Sequence, residues 1–179
     1  GKNYVVGSIF DVTELKQREL DSRGARTYLE NVLESLPAGI IIYDTEDRFV
    51  LANRQLQETM PEVQDAWHVG CPFRDALRLG HAQGHFRASG NQEVDELYDL
   101  DCEAWMDAYL ERRRELHRTY IRQNPNGRWY QAIDTRTADG SFIGIRIDIT
   151  ELKQREEELE EAQRKAILAD RAKSEFLAN

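Results

Sequence analysis

The period of apolar and polar positions changes several times along the chain, and each change marks an element. Leu15, Ser22, Leu29 and Leu36 fall seven apart, with Arg18, Ala25 and Val32 three beyond the first three, which is the spacing of a weak heptad seam on a helix. Gly24 weakens that helix by about 1 kcal/mol relative to alanine, and Pro37 ends it. Ile40-Ile41-Ile42-Tyr43 does not alternate, so it predicts a strand covered on both faces. A Thr45-Glu46-Asp47 turn leads into a second strand, Arg48 to Ala52, and Asn53 opens a short helix carrying Leu56 and Met60 that stops at Pro61. Residues 62–92 are irregular apart from a predicted helix from Pro72 to Leu79, closed by Gly80. From Val94 the apolar positions 94, 98, 102, 105, 109 and 116 follow helical spacing. The acidic start of that helix (Glu93, Asp95, Glu96, Asp99, Asp101) and its basic end (Arg112, Arg113, Arg114) complement the helix dipole. Three strands follow, 117–123, 128–136 and 142–149, separated by the turn sequences Asn124-Pro-Asn-Gly127 and Ala138-Asp-Gly-Ser141. Two strands, then helices, then three strands predict an α+β domain with a five-stranded antiparallel sheet and flanking short helices.

A nine-residue match frames this domain. Asp11–Glu19 and Asp148–Glu156 differ only at Val12 and Ile149, and each copy follows alternating apolar residues and leads into charged, helix-favouring sequence. A strand is therefore expected to pass directly into a helix at both places. Asp11 with Glu14, and Asp148 with Glu151, are spaced as capping pairs, with Thr13 and Thr150 as alternative caps. A helix tied in this way to the end of a strand moves when the sheet moves, so Asp148, Thr150, Glu151, Asp11 and Thr13 are the expected coupling residues. Past Glu151 two heptad registers are present, one through Leu152, Leu159 and Ala166, the other through Ala162 and Ala169. Alanines and occasional charges at such a seam predict a parallel homodimer that shifts easily; the alternative is one solvated helix that pairs only in a longer protein.

The 179 residues are 40% hydrophobic and 32% charged, enough for one core with helical extensions. A net charge of −9 argues against nucleic acid or an anionic membrane surface as partner. No apolar run approaches the ~20 residues of a membrane helix. Cys71 and Cys102 are too few for a disulfide framework and fit a reducing cytoplasm, while Gly at position 1 suggests a piece of a longer parent with room for membrane segments upstream. No pair of nucleophile and base, phosphate-binding glycine loop or paired carboxylates stands out, so no enzymatic activity is expected of these residues. His81 and His85 with Cys71 and Cys102 offer four metal donors, but their spacing matches no zinc module and Gly80 and Gly84 oppose a helix there, so no metal is expected.

Ala38-Gly-Ile-Ile-Ile-Tyr-Asp44, Arg48-Phe-Val-Leu-Ala-Asn53, Asn126-Gly-Arg-Trp-Tyr130 and the closing Asp148-Ile-Thr-Glu151 together resemble a PAS sensor domain over about residues 27–155. The resemblance implies four segments: 1–12 as the last strand of a preceding PAS-like domain, 13–36 as a linking helix, 37–150 as the PAS domain and 151–179 as an exit signalling helix. Ala172-Lys-Ser-Glu-Phe-Leu-Ala-Asn179 resembles the opening of the dimerisation and phosphoacceptor helix of sensor histidine kinases. That implies regulation of a downstream kinase domain in the same chain and a response regulator as partner of the full-length protein. None of the four histidines stands at the phosphoacceptor place, so neither phosphate acceptance nor ATP binding is expected of this segment. In the family's pocket region lie Trp105, Tyr109, His117, Tyr120 and Trp129. Gly70-Cys-Pro-Phe73 lacks the partners of the light-reactive flavin motif, and His117, near the end of the long helix on which haem-binding members carry their histidine, is a lone histidine of the kind a helix dipole stabilises, so flavin and haem are disfavoured. The expectation is no bound cofactor or a small organic ligand, and the competing reading is a ligand-free module for dimerisation or protein interaction.

Overall fold

The computed structural model describes residues 24–178 apart from Arg26; Asp11, Thr13 and the strand expected over residues 1–12 lie outside the described residues. The chain divides between Leu36 and Pro37 into two compact units. In the first, residues 27–35 form helix α1, on which Tyr28, Leu29 and Val32 are exposed.

The second unit opens with strands β1 (Gly39–Tyr43) and β2 (Phe49–Ala52). Helix α2 (Arg54–Thr59), a 3-10 turn (Pro61–Ala66), α3 (Phe73–Ala82), α4 (Gln92–Leu97) and α5 (Cys102–Arg112) follow. Strands β3 (His117–Gln123), β4 (Trp129–Arg136) and β5 (Phe142–Asp148) complete the sheet, and α6 runs from Thr150 to Ala178. The five strands are antiparallel in the order β2-β1-β5-β4-β3.

Asn53 locks the first strands to the first helix. Its side-chain oxygen accepts from the amides of Ile40 (2.8 Å) and Leu56 (3.1 Å), and its amide group donates to the carbonyl of Ala38 (2.9 Å). One buried side chain thus caps α2 and closes the β1–β2 hairpin, which explains why Asn stands there rather than an apolar residue.

Strand register decides which side chains share a face. Ile41 lies opposite Gly144, Tyr43 opposite Phe142, Ala132 opposite Arg146, and Arg122 opposite Tyr130. These face the helices, where Leu56, Met60, Phe73, Leu77, Trp105 and Met106 complete the core. Each such side chain contributes roughly 1.5–3 kcal/mol by leaving water. The outer face carries Ile42, Ile133, Ile143, Ile145 and Ile147, all half-buried. Apolar residues on both faces are the reason the β1 run fails to alternate.

Two local expectations change. The helix expected from Val94 onward is two helices: the Asp101 carboxylate accepts from the amides of Glu103 and Ala104 and starts α5 anew. Tyr98, at the end of α4, donates its hydroxyl to the carbonyls of His81 (3.0 Å) and His85 (2.7 Å), holding α4 against the end of α3 and off the α5 axis. Leu116, counted among the apolar positions of that helix, lies beyond it and is exposed. Gly80, expected to close α3, lies inside it. A Cβ at Gly80 would stand 2.1 Å from the Phe86 ring, so the glycine serves close packing rather than helix termination.

Candidate ligand cavity and exit junction

Between the inner sheet face and the helices lies a partly open cavity of about 380 Å3, its solvent-open mouth included. Its enclosed part admits little more than a water molecule. Leu56, Met60, Phe73, Phe86 and Tyr109 form apolar walls, and three guanidiniums, from Arg113, Arg122 and Arg146, share the lining.

Arg122 and Arg146 come from strand alternation, and Arg113 from the C-terminal cap of α5. On β3 the inward positions are Arg118, Tyr120 and Arg122, while His117, Thr119, Ile121 and Gln123 face outward. Arg118 and Arg146 converge on Asp134, donating to its two carboxylate oxygens at 2.6 and 2.8 Å. Burial opposes ionisation of Asp134, but Arg146, Arg118 and Arg113 outweigh it and hold the carboxyl at a pKa of about 2. Arg113 donates from Nε to Asp47 at 3.2 Å, and Asp47 also receives Arg136 at 2.9 Å. The Arg113 guanidinium lies 3.3 Å from the ring centroid of Phe142 and 3.6 Å from that of Phe73, a stacked cation within an aromatic cage. Burial pushes Arg113 below its ordinary value, against the pull of Tyr43 and Asp47.

Arg122 differs from the others. It is 2% exposed, and its one hydrogen bond runs from Nη2 to the Met60 sulfur at 3.5 Å, a weak acceptor. Its Nε and Nη1, and Nη2 of Arg113, have no protein partner.

Of the five residues read as pocket candidates, Tyr109 lines the cavity. Trp105 is fully buried beside it, ring centroids 5.5 Å apart, and Tyr120 brings its hydroxyl to 3.3 Å from that of Tyr109. His117 and Trp129 occupy outward positions on β3 and β4, so the expectation that they face the pocket gives way to the opposite parity. Arg122 lies on a strand of the family's pocket region, where alternation turns only some residues inward, but Arg118 and Arg146 were missed because a charged residue on a strand reads as solvent-facing; the recoverable signal was Arg118, Arg122, Asp134 and Arg146 at even spacing on adjacent strands.

The proposed metal donors do not converge. His81 meets Cys102 (Nδ1 to Sγ, 3.5 Å), His85 turns to Glu62 at 3.3 Å, and Cys71 lies near Asp75. Among the described residues no three potential ligands form a metal-binding group. Burial and the Asp75 carboxylate push the Cys71 thiol up, away from thiolate chemistry.

At the exit, β5 becomes α6 with one residue, Ile149, between them. The Thr150 hydroxyl accepts from the Trp129 amide of β4 at 3.0 Å, and the Ile149 amide donates to the Trp129 carbonyl at 2.9 Å. Asp148 accepts from the Thr150 amide at 2.9 Å and pairs with Arg128 at 3.0 Å. Partial burial opposes ionisation of Asp148, but the Thr150 bonds and Arg128 hold its carboxyl below the usual range. Glu151 pairs with Arg155 along the helix rather than reaching back as a capping partner. The seam candidates Leu152 and Leu159 are exposed, as are Ala162 and Ala166, whereas Ala169 is described only as part of the helix.

A family model described as the PAS fold matches residues 33–157. A curated relative, the "Non-motile and phage-resistance protein" of Caulobacter vibrioides, is 24% identical over 210 aligned positions covering all of this chain. The chain spans 22% of that relative's length. Among solved structures, the PAS domain of Bordetella pertussis BvgS is 20% identical with a TM-score of 0.46, covering 78% of this chain and 98% of that one. The PAS domain of an HTR-like protein from Haloarcula marismortui is 14% identical with a TM-score of 0.44, covering 75% and 99%. No helix among the described residues is long and apolar enough to cross a membrane.

Proposed function

The chain belongs to the PAS fold family, and from that premise we propose that it senses a signal at its inner cavity and transmits it through α6 to a kinase domain further along the parent chain. The observation that carries this reading is the exit junction. Arg146 lines the cavity, and four residues later the chain of the same strand enters a helix whose first turn is bonded to β4 through Thr150. An occupant that shifts β5 therefore shifts α6 as well, without a flexible segment to absorb the movement.

The kinase itself rests on the resemblance of Ala172–Asn179 to a phosphoacceptor-helix opening, with a parallel homodimer through α6 and a response regulator as partners of the full-length protein. In this reading the segment performs no catalysis, and its output is a change in helix pairing. Two pairing states separated by a few kcal/mol suffice, because a signal moves the balance only by its differential affinity for them.

Asp148→Ala in the full-length protein tests the coupling. Autophosphorylation should lose its response to the stimulus, while hydrogen exchange in β1, β4 and β5 stays as slow as in the parent. Regulation that survives this change with a loosened first turn of α6 would refute transmission through the junction.

A further inference from the structure

The inner sheet face is cationic although the chain as a whole is acidic. Arg113, Arg118, Arg122, Arg136 and Arg146 are set against two carboxylates, Asp47 and Asp134. Four of the five guanidiniums bond to one of those carboxylates. Arg122 bonds to neither, yet it is almost wholly buried and lines the cavity with two nitrogens lacking a protein partner. A buried charge without a counter-charge is costly, and a fold retains one where something else neutralises it.

Taking the cavity as the input site of the proposed sensor, we propose that its ligand is a small organic monocarboxylate whose carboxylate bonds to Arg122. Three features select that class. A single unpaired guanidinium calls for a single negative charge. Its planar fork of N–H donors matches a carboxylate held through two oxygens. The walls beside it, Leu56, Met60, Phe73 and Phe86, suit an apolar body rather than a fully charged phosphate. Two further partnerless groups, Nη2 of Arg113 and the Tyr43 hydroxyl, stand on the same lining. The enclosed part of the cavity is little larger than a water molecule, so only the carboxylate group fits within it and an apolar body, of benzoate size or less, lies in the open mouth.

The test is thermal unfolding of the whole chain with millimolar acetate, propionate or benzoate, against benzamide and inorganic phosphate at matched ionic strength. At least one carboxylate should raise Tm by several degrees, with no comparable rise from benzamide or phosphate. Arg122→Met should abolish the rise and melt no lower than the parent, because it removes an uncompensated buried charge. Arg122→Lys, which keeps the charge without the fork, should retain a reduced rise. Four results overturn the site: no rise with any carboxylate, an equal rise with benzamide, a rise with phosphate alone, or a full rise in Arg122→Met. Failure of the sensor reading looks different. There the carboxylate still binds and Arg122→Met still abolishes binding, but hydrogen exchange in the first turns of α6 is unaffected by ligand.

Discussion

Asp134 shows how a single side chain organises the interior. Removing it leaves Arg118 and Arg146 buried together without their shared counter-charge. Asp134→Asn should therefore cost roughly 3–5 kcal/mol at pH 7, read as a fall in urea midpoint. The same residue predicts acid behaviour. Its folded pKa of about 2 lies below the unfolded value of about 3.9, so the unfolded chain binds the proton first. The resulting stabilisation, on the order of 2 kcal/mol, is fully present above pH ~4 and is lost as pH falls toward ~2. In Asp134→Asn the midpoint should change less with pH across that window; an unaltered slope would show that other carboxyls govern it. The residue scale was also where sequence reasoning saw least. Nothing local distinguishes Arg118 and Arg122, buried, from Arg114 and Arg128, exposed, because their burial depends on Asp134 and the aromatic rings contributed by distant segments.

Among the elements, α3 and the loop after it depend on a close approach. Phe86 has a positive φ of 64° and sets its ring over Gly80, where it also lines the cavity. Gly80→Ala gains helix propensity of about 1 kcal/mol but drives a methyl group into that ring. The overpacking should win, for a net loss of about 1–2 kcal/mol in chemical denaturation. A gain in stability instead would mean that Phe86 swings aside without cost. Element types and most boundaries were legible, since Asn53, Pro61, Pro72 and the two glycine-containing turns act within a few residues of where they stand. The break between α4 and α5 was not. Apolar spacing continues through it, and only the capping geometry of Asp101 and the hold of Tyr98 on α3 interrupt the helix.

Among the described residues, α6 carries exposed Leu152, Leu159, Ile167 and Leu168, while Ile42, Ile133, Ile143, Ile145 and Ile147 on the outer face of the sheet are half-buried. Leu152 and Leu159 are 55% and 60% exposed on a helix of 29 residues. Such a helix gains most of its stability from a partner. If two copies of α6 pair, Leu159→Glu replaces two buried leucines with two facing carboxylates and should weaken self-association at least tenfold in sedimentation equilibrium. The β-sheet signal of the domain should be unchanged. Unaltered association would move the dimer seam elsewhere, the outer sheet face being the next surface to examine.

The order of strands and helices, the antiparallel sheet, the direct passage from β5 into α6 and the PAS resemblance were all determined by the sequence alone. They rest on periodicity, turn chemistry and caps, which act over a few residues and so leave a local record. Which face of each strand turned inward was a tertiary decision. Alternation permits either parity, and only the pairing of β3 with β4 and of β4 with β5 put Arg118, Arg122, Asp134 and Arg146 inside while leaving His117 and Trp129 outside. Arg118 and Arg146 are buried at tolerable cost because both pair with Asp134 and aromatic rings stand beside Arg118, and those partners come together from separate segments when the chain folds.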